Sequence, residues 1–269
     1  MLGHVEDRGQ AVLLKDKVAV VYGAGGAVGG AMARAFADEG ALVHLAGRRR
    51  ESLDAVAGTL SGRIEVAVLD ATDEDAVERD LRCVVDRHGA VDVSINLIAV
   101  DHVQGVPLLE MSADRFTLGI DARMRTHFIT ARAAGRQMAP RRSGAILMLT
   151  AAPDRVAIPM AGSFGVQCAA VESFGRALAV ELGPLGIRVA CLRSAGSPDS
   201  TGVDEVFNLH AGNAGVAREA YDRAKAARTL LGRMPRLAEV AQTAVFLASD
   251  RASAITGAIA NVTCGELLD

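Results

Sequence analysis

No uninterrupted apolar run in this sequence reaches the ~18 residues that a membrane-spanning helix needs, so the chain reads as soluble. Charge of either sign is not in excess. Lys+Arg at 29 against Asp+Glu at 32 leave a formal charge of -3, which supplies neither the basic field that nucleic acid requires nor an acidic tail. Cysteine is sparse and scattered. Cys83, Cys168, Cys191 and Cys264 form no CxxC or CxxH spacing, so neither a metal site nor a disulfide framework is expected, and reduced thiols fit a cytoplasmic protein. The opening MLGHVEDRGQ lacks the basic start and apolar stretch of a secretory signal, and residues 1–13 read as a flexible polar arm. What is present is a globular composition, 50% hydrophobic and 23% charged over 269 residues. At ~150 residues per domain that is one large domain or two small ones, and the absence of a repeat or linker favours a single one over 14–269.

Short runs rich in Val, Ile and Leu alternate with segments of helical period. They are Val18 to Tyr22, Leu42 to Ala46, Ile64 to Leu69, Val93 to Ile98, Ala145 to Thr150, Arg188 to Leu192 and Ala258 to Val262. Runs apolar at consecutive positions belong to strands buried on both faces. The expectation is therefore an α/β, doubly wound, seven-stranded parallel sheet with helices on each side. The loosest stretch, Ser194 to Gly215 with GSPDSTG and HAGNAG, reads as the start of a substrate lid over about 194–232.

Directly after the first run comes GAGGAVGG, then the helical pattern AMARAFADEG. Gly23, Gly25, Gly26, Val28 and Gly29 would shape a tight turn that brings backbone N–H groups to a pyrophosphate at a helix start, or would simply make a close strand-to-helix connection. After Gly47, where an acid would bind an adenosine ribose and select NAD, stand Arg48, Arg49 and Arg50. Guanidinium groups suit a 2'-phosphate, so NADP(H) is expected over NAD(H); a solvated basic helix start is the alternative.

These features together resemble the short-chain dehydrogenase/reductase superfamily from about Leu14 to the C-terminus. LKDKVAVVYGAGGAVGGAMARAFADEGA resembles its TGxxxGxG region, with Tyr22 for Thr and Ala27 for the middle Gly. LAVELGPLGIRVACLRSAGS and LLGRMPRLAEVAQTAVFLASDRASAITGAIANVTCG resemble its later signatures. The resemblance implies that Asp70 and Ala71 lie at the adenine, that Asn96 and Thr150 line the dinucleotide, and that Gly196 and Pro198 lie near the nicotinamide carboxamide. It also implies a small-molecule substrate and a homodimer or homotetramer.

The superfamily's Asn, Ser, Tyr and Lys set is replaced. FTLGIDARMRTHF puts Arg123 at the Asn position, GAILMLTAA puts Ala151 at the Ser position, and YxxxK becomes Phe164-Gly165-Val166-Gln167-Cys168. Thr150 and Ser163 carry hydroxyls beside the vacant positions, but no Tyr or Lys lies between Ala122 and Tyr221. Losing a positioned general acid typically removes ~10²–10⁴ in rate, so plain ketones are poor acceptors on this reading. Three replacements are open. Arg123 would bind a carboxylate or stabilise an enolate, or pair with Asp121 or a partner subunit. Asp154 would act as acid or base, or as a turn residue. Cys168 would be a nucleophile, or an inert small hydrophobe. His102, His127 and His210 could titrate near neutrality, with His127 one turn after Arg123 and expected on the helix surface. The expected activity is hydride transfer from NADP(H) to an activated acceptor, an iminium or enone. A non-redox cyclase, isomerase or lyase and a catalytically inactive dinucleotide-binding homologue are the alternatives.

Overall fold

The computed structural model describes residues 12–268; most of the expected N-terminal arm lies outside them. Seven strands, β1 (Val18–Tyr22), β2 (Leu42–Gly47), β3 (Ile64–Val68), β4 (Val93–Asn96), β5 (Gly144–Ala151), β6 (Ile187–Ser194) and β7 (Ala258–Val262), form one sheet in the order β3-β2-β1-β4-β5-β6-β7. Every pairing is parallel. The sequence runs find their strands, with ends displaced by one or two residues because pairing with neighbours, not apolarity, sets where a ladder stops. Burial follows position in the sheet. All five residues of β1 are buried, whereas edge strands β3 and β7 contain none that is fully buried.

Parallel strands need crossovers, and the helices that supply them cover both faces. On one face α1 (Ala27–Asp38), α2 (Arg50–Ala57) and α8 (Leu237–Ala248) contribute Met32, Phe36, Leu53, Val240 and Val245 to a core with Val21, Leu45 and Ile95. On the other, α3 (Glu74–His88), α4 (Ala113–Met138) and α5 (Phe164–Leu182) bring Val77, Leu81, Ile129 and Val171 against Val20, Ile146 and Val189. Capping is local and sequence-encoded: Ser112 Oγ accepts from the Arg115 N–H at the start of α4, and Asp73 Oδ1 accepts from the Ala76 N–H at the start of α3.

The connection after β6 is more ordered than its composition suggests. HAGNAG is not a loop: His210 to Asn213 complete α6 (Thr201–Asn213), and α7 (Arg218–Ala227) follows. Buried Phe207, His210 and Ala211 give α6 an inward face, so the glycines mark where the helix ends, with Gly215 at φ +67°. Among the described residues no helix is long and apolar enough to cross a membrane.

One ion pair is sealed inside. Arg193 on β6 is 1% exposed, and its Nε donates to Glu172 Oε1 of α5 at 2.8 Å while Nη2 reaches Oε2. Thr150 Oγ1 also donates to Glu172 Oε1, at 2.9 Å. Removing one member of a buried pair leaves a charge without its partner. Arg193→Met should therefore lower the unfolding free energy by ~3–5 kcal/mol in urea titration, and a loss below ~1 kcal/mol would show that the pair carries no such weight.

Candidate active site

The strand order reverses between β1 and β4, and the loops leaving their carboxyl ends diverge to open a crevice, where ligands of such sheets bind. At the β1 end, Gly23 has φ +76°, and a Cβ there would lie 2.6 Å from the Leu97 carbonyl oxygen. A Cβ on Gly29 would lie 2.2 Å from the Gly23 oxygen, so only glycine lets the turn fold this tightly onto α1. Gly26 caps α1 without a side-chain acceptor and is exposed with Ala27, leaving first-turn N–H groups to an external anion. Val28 points its side chain to the core instead.

Arg48 and Arg49 are exposed at the end of β2 and form no ion pair among the described residues, whereas Arg50 is engaged with Asp54 at 3.0 Å. Asp70, followed by buried Ala71, accepts from the Thr72 N–H and hydroxyl at 2.9 and 2.8 Å. Those bonds, with a smaller contribution from Arg48, hold its carboxyl below the usual range. Asn96 donates to Thr130 Oγ1 and accepts from the Ile98 N–H, both at 3.0 Å, which locks the turn after β4. Gly196 at φ +96° and Pro198 lie in the loop after β6, and a Cβ on Gly196 would meet the Phe207 ring. A tight turn, free helix amides and two unpaired arginines fit the phosphates and adenosine of a dinucleotide.

The other end is built differently. Phe164 opens α5, and the His102 ring stacks on it with centroids 4.9 Å apart and planes 14° from parallel. Arg123, from α4, places its Cζ 5.8 Å from the same ring. It forms no bridge to Asp121; its Nε donates to Gln167 Oε1 at 2.9 Å, and Gln167 Nε2 donates to Ser163 Oγ at 3.1 Å. Gly119, one turn before Arg123, makes the contact possible, since a Cβ there would lie 2.3 Å from Gln167 Nε2 and 2.8 Å from His102 Cβ. Thr150 is turned to Glu172 and Ala151 follows it, while Cys168 is 2% exposed among core residues. Asp154 ends a short 3₁₀ turn over Ala152–Asp154. Lys225 is engaged away from these residues: its Nζ donates to buried Glu266 Oε1 at 2.8 Å. The Tyr22 phenol is sealed without a partner beneath α3, and burial pushes it well above its usual range.

Burial disfavours the charged form of His102, His127 and His210. His102 Nδ1 faces the Val100 carbonyl at 3.0 Å and so carries the proton, while Nε2 accepts from Gln104 Nε2 at 2.7 Å. Gln104 Oε1 in turn accepts from His210 Nε2 at 2.7 Å, which ties the loop after β4 to α6. Burial, foremost, lowers the pKa of His102 and His210. His127 is not on the helix surface: it is 2% exposed, its Nδ1–H donates to the Arg123 carbonyl at 2.9 Å, and its Nε2 has no partner. Its neighbours one turn on along the same face of α4, Thr130 and Ala131, are buried too, which is why the helix turns it inward.

Gln167, Gly119 and Gln104 were not candidates in the sequence. A glutamine on the otherwise apolar first turns of α5 is the signal that pointed to the first; the other two become visible only when the loop after β4 and α4 are folded against α5. Among the described residues no group of three or more His, Cys, Asp or Glu side chains is placed to hold a metal ion.

Known proteins resemble this chain in sequence and fold. The family model described as enoyl-(acyl carrier protein) reductase matches residues 23–266. The 3-oxoacyl-(acyl-carrier-protein) reductase FabG of Chlamydia trachomatis serovar D is 29% identical over 257 residues, 94% of this chain and 98% of its own. Tropinone reductase-like 2 of Erythroxylum coca is 28% identical, over 91% of this chain and 88% of its own. The crystal structure of gox2181 superposes with a TM-score of 0.83 at 26% identity, covering 95% of this chain and 97% of that one. The chain belongs to the short-chain dehydrogenase/reductase superfamily, oxidoreductases that use nicotinamide dinucleotides.

His127 makes a pH test of the site's packing. Burial, then the Arg123 charge, lowers its pKa to about 4. Between its unfolded value near 6.5 and about 4 the unfolded chain binds a proton that the folded chain refuses, so stability falls as pH falls. His127→Leu should lose less stability than wild type between pH 7 and 5 in urea titrations. Two parallel stability curves would contradict the assignment.

Proposed function

We propose that this protein is an NADP(H)-dependent oxidoreductase that delivers hydride to an activated acceptor, an iminium or an enone, in place of a simple ketone. Exposed Arg48 and Arg49 at the end of β2, with no acid between Gly47 and them, support a 2'-phosphate on the adenosine ribose. Gly23, Gly25, Gly26 and Gly29 with the start of α1 would hold the pyrophosphate, Asp70 and Ala71 the adenine, and Gly196 with Pro198 the carboxamide. When bound, the reduced nicotinamide supplies the hydride.

The observation that carries the reading is Phe164 at the head of α5 with Arg123 over its ring and both nitrogens of His102 engaged. None of these side chains has a proton to give at neutral pH. An iminium needs none: hydride adds to carbon, the C=N π pair returns to nitrogen, and a neutral amine results. An enone takes hydride at its β-carbon and becomes an enolate, which a fixed guanidinium such as Arg123 stabilises until water protonates the α-carbon. Asp154 on the turn after β5 is the candidate for handling that proton, and the burial of Cys168 supports a packing role for it beside the acceptor. Exposed Leu118 and Phe128 on α4 and Val166 and Val180 on α5 support assembly into a homodimer or homotetramer.

The test is stopped-flow oxidation of NADPH and NADH by the purified protein with a preformed cyclic iminium, an activated enone and a plain ketone. NADPH should serve better than NADH, and the ketone should turn over at least ~10²-fold more slowly than the other two. Comparable ketone turnover would overturn the reading. So would no turnover of any acceptor, which would favour a non-redox or purely binding role.

A further inference from the structure

Arg123 is a partly buried cation that no carboxylate among the described residues answers. A guanidinium has five N–H donors, and here only Nε–H has an acceptor, the neutral amide of Gln167 at 2.9 Å. Nη1 and Nη2 meet no acceptor among the described residues. Asp121, two residues earlier on α4, is exposed and does not reach it. The remaining surroundings are the Phe164 face, the thiol of Cys168 and the neutral rings of His102 and His127.

The fold meets half-buried Arg188 with the Leu247, Ala248 and Ser249 carbonyls, and its fully buried Arg and Lys side chains with carboxylates. Arg193 has Glu172 and Lys225 has Glu266, because a charge taken from water without a counter-charge costs free energy. The Arg123 donors are also not closed off. The sealed side-chain atoms that lack partners are Tyr22 Oη, His127 Nε2, Arg132 Nε and Glu266 Oε2, so neither Nη of Arg123 is among them. This exception stands in the crevice, stacked over the residue that replaces the superfamily's phenol.

We propose that Arg123 is the binding site for a carboxylate, and that the acceptor is a small molecule carrying one. The inference deepens the functional reading and rests on it for the place of the acceptor. With Nε occupied by Gln167, the side-on fork is blocked and the end-on pair Nη1–H and Nη2–H remains, which matches the two oxygens of a carboxylate. One fixed positive charge among neutral histidines matches one negative charge, so a phosphate dianion fits less well. The role is anchoring, in place of the enolate contact: Arg123 holds the substrate's carboxylate while the hydride acceptor atom lies elsewhere on it, and an enolate formed there is left to water.

The test uses benzoate and its uncharged isostere benzamide, titrated calorimetrically into the full-length protein with and without saturating NADP+. Benzoate should bind at least ~10-fold more tightly, a difference of one charge-assisted contact. Arg123→Gln should erase the difference, and Arg123→Lys, which keeps the charge but not the fork, should keep part of it. Should Arg123→Gln fail to fold, wild type still decides: burial is the main cause that lowers the His102 pKa and the Arg123 charge adds to it, so benzoate, which neutralises that charge, should move the His102 titration followed by NMR to higher pH, and benzamide should not. Equal binding of the two ligands, an unmoved His102 titration, or displacement of benzoate by equimolar inorganic phosphate would each overturn the proposal. Turnover enters none of these readouts. A protein that separates benzoate from benzamide yet reduces no acceptor would refute the redox reading alone.

Discussion

A single hydrogen bond, from Arg123 Nε on α4 to Gln167 Oε1 on α5, fixes the polar centre of the crevice. It joins the two helices that follow β4 and β5, next to the point where the strand order reverses. Its geometry depends on Gly119, whose missing side chain is the space that Gln167 and His102 occupy. Gln167 is fully buried and bonded at both ends, so the guanidinium is held from below and cannot swing freely to solvent. Fixed donors cost no reorganisation when a ligand's charge arrives, which is what gives such an arrangement its value in a site.

The buried charges of the molecule divide into two kinds. Arg193 with Glu172, and Lys225 with Glu266, are closed pairs that specify packing under the sheet's carboxyl edge and behind α7. Arg123 is open. Around it the chain has placed groups that do not compete for an anion: an aromatic face, a thiol, an amide and imidazoles kept neutral by burial. The chain His102–Gln104–His210 adds a second function to this neutrality, since the same bonds that fix the tautomers tie the loop after β4 to α6.

The fold was legible because consecutive apolar residues mark strands buried on both faces, and each of the seven runs became a strand of one parallel sheet. What misled was composition read without packing. HAGNAG looked like a loop, but Phe207, His210 and Ala211 give it a buried face that outweighs two glycines near a helix end. His127 looked like a surface residue because a lone polar letter carries no record of which neighbours bury it. Arg123 and Phe164 were singled out in the sequence, and the structure brings them together, with the Arg123 Cζ 5.8 Å from the Phe164 ring. Gln167 and Gly119, which decide how Arg123 is held, belong to contacts between elements far apart in the chain; the lone glutamine among apolar residues at the start of α5 hints at the first, and no local pattern encodes the second.

The central claim is that hydride reaches the acceptor without a side-chain acid ionising near neutrality. The most direct measurement is the single-turnover rate of NADPH oxidation with an N-alkylated iminium, which has no proton of its own to lose, followed from pH 6 to 9. A flat profile is expected. A rate that falls tenfold per pH unit above an ionisation inside that range would reveal a protonated group at work in the step and contradict the claim.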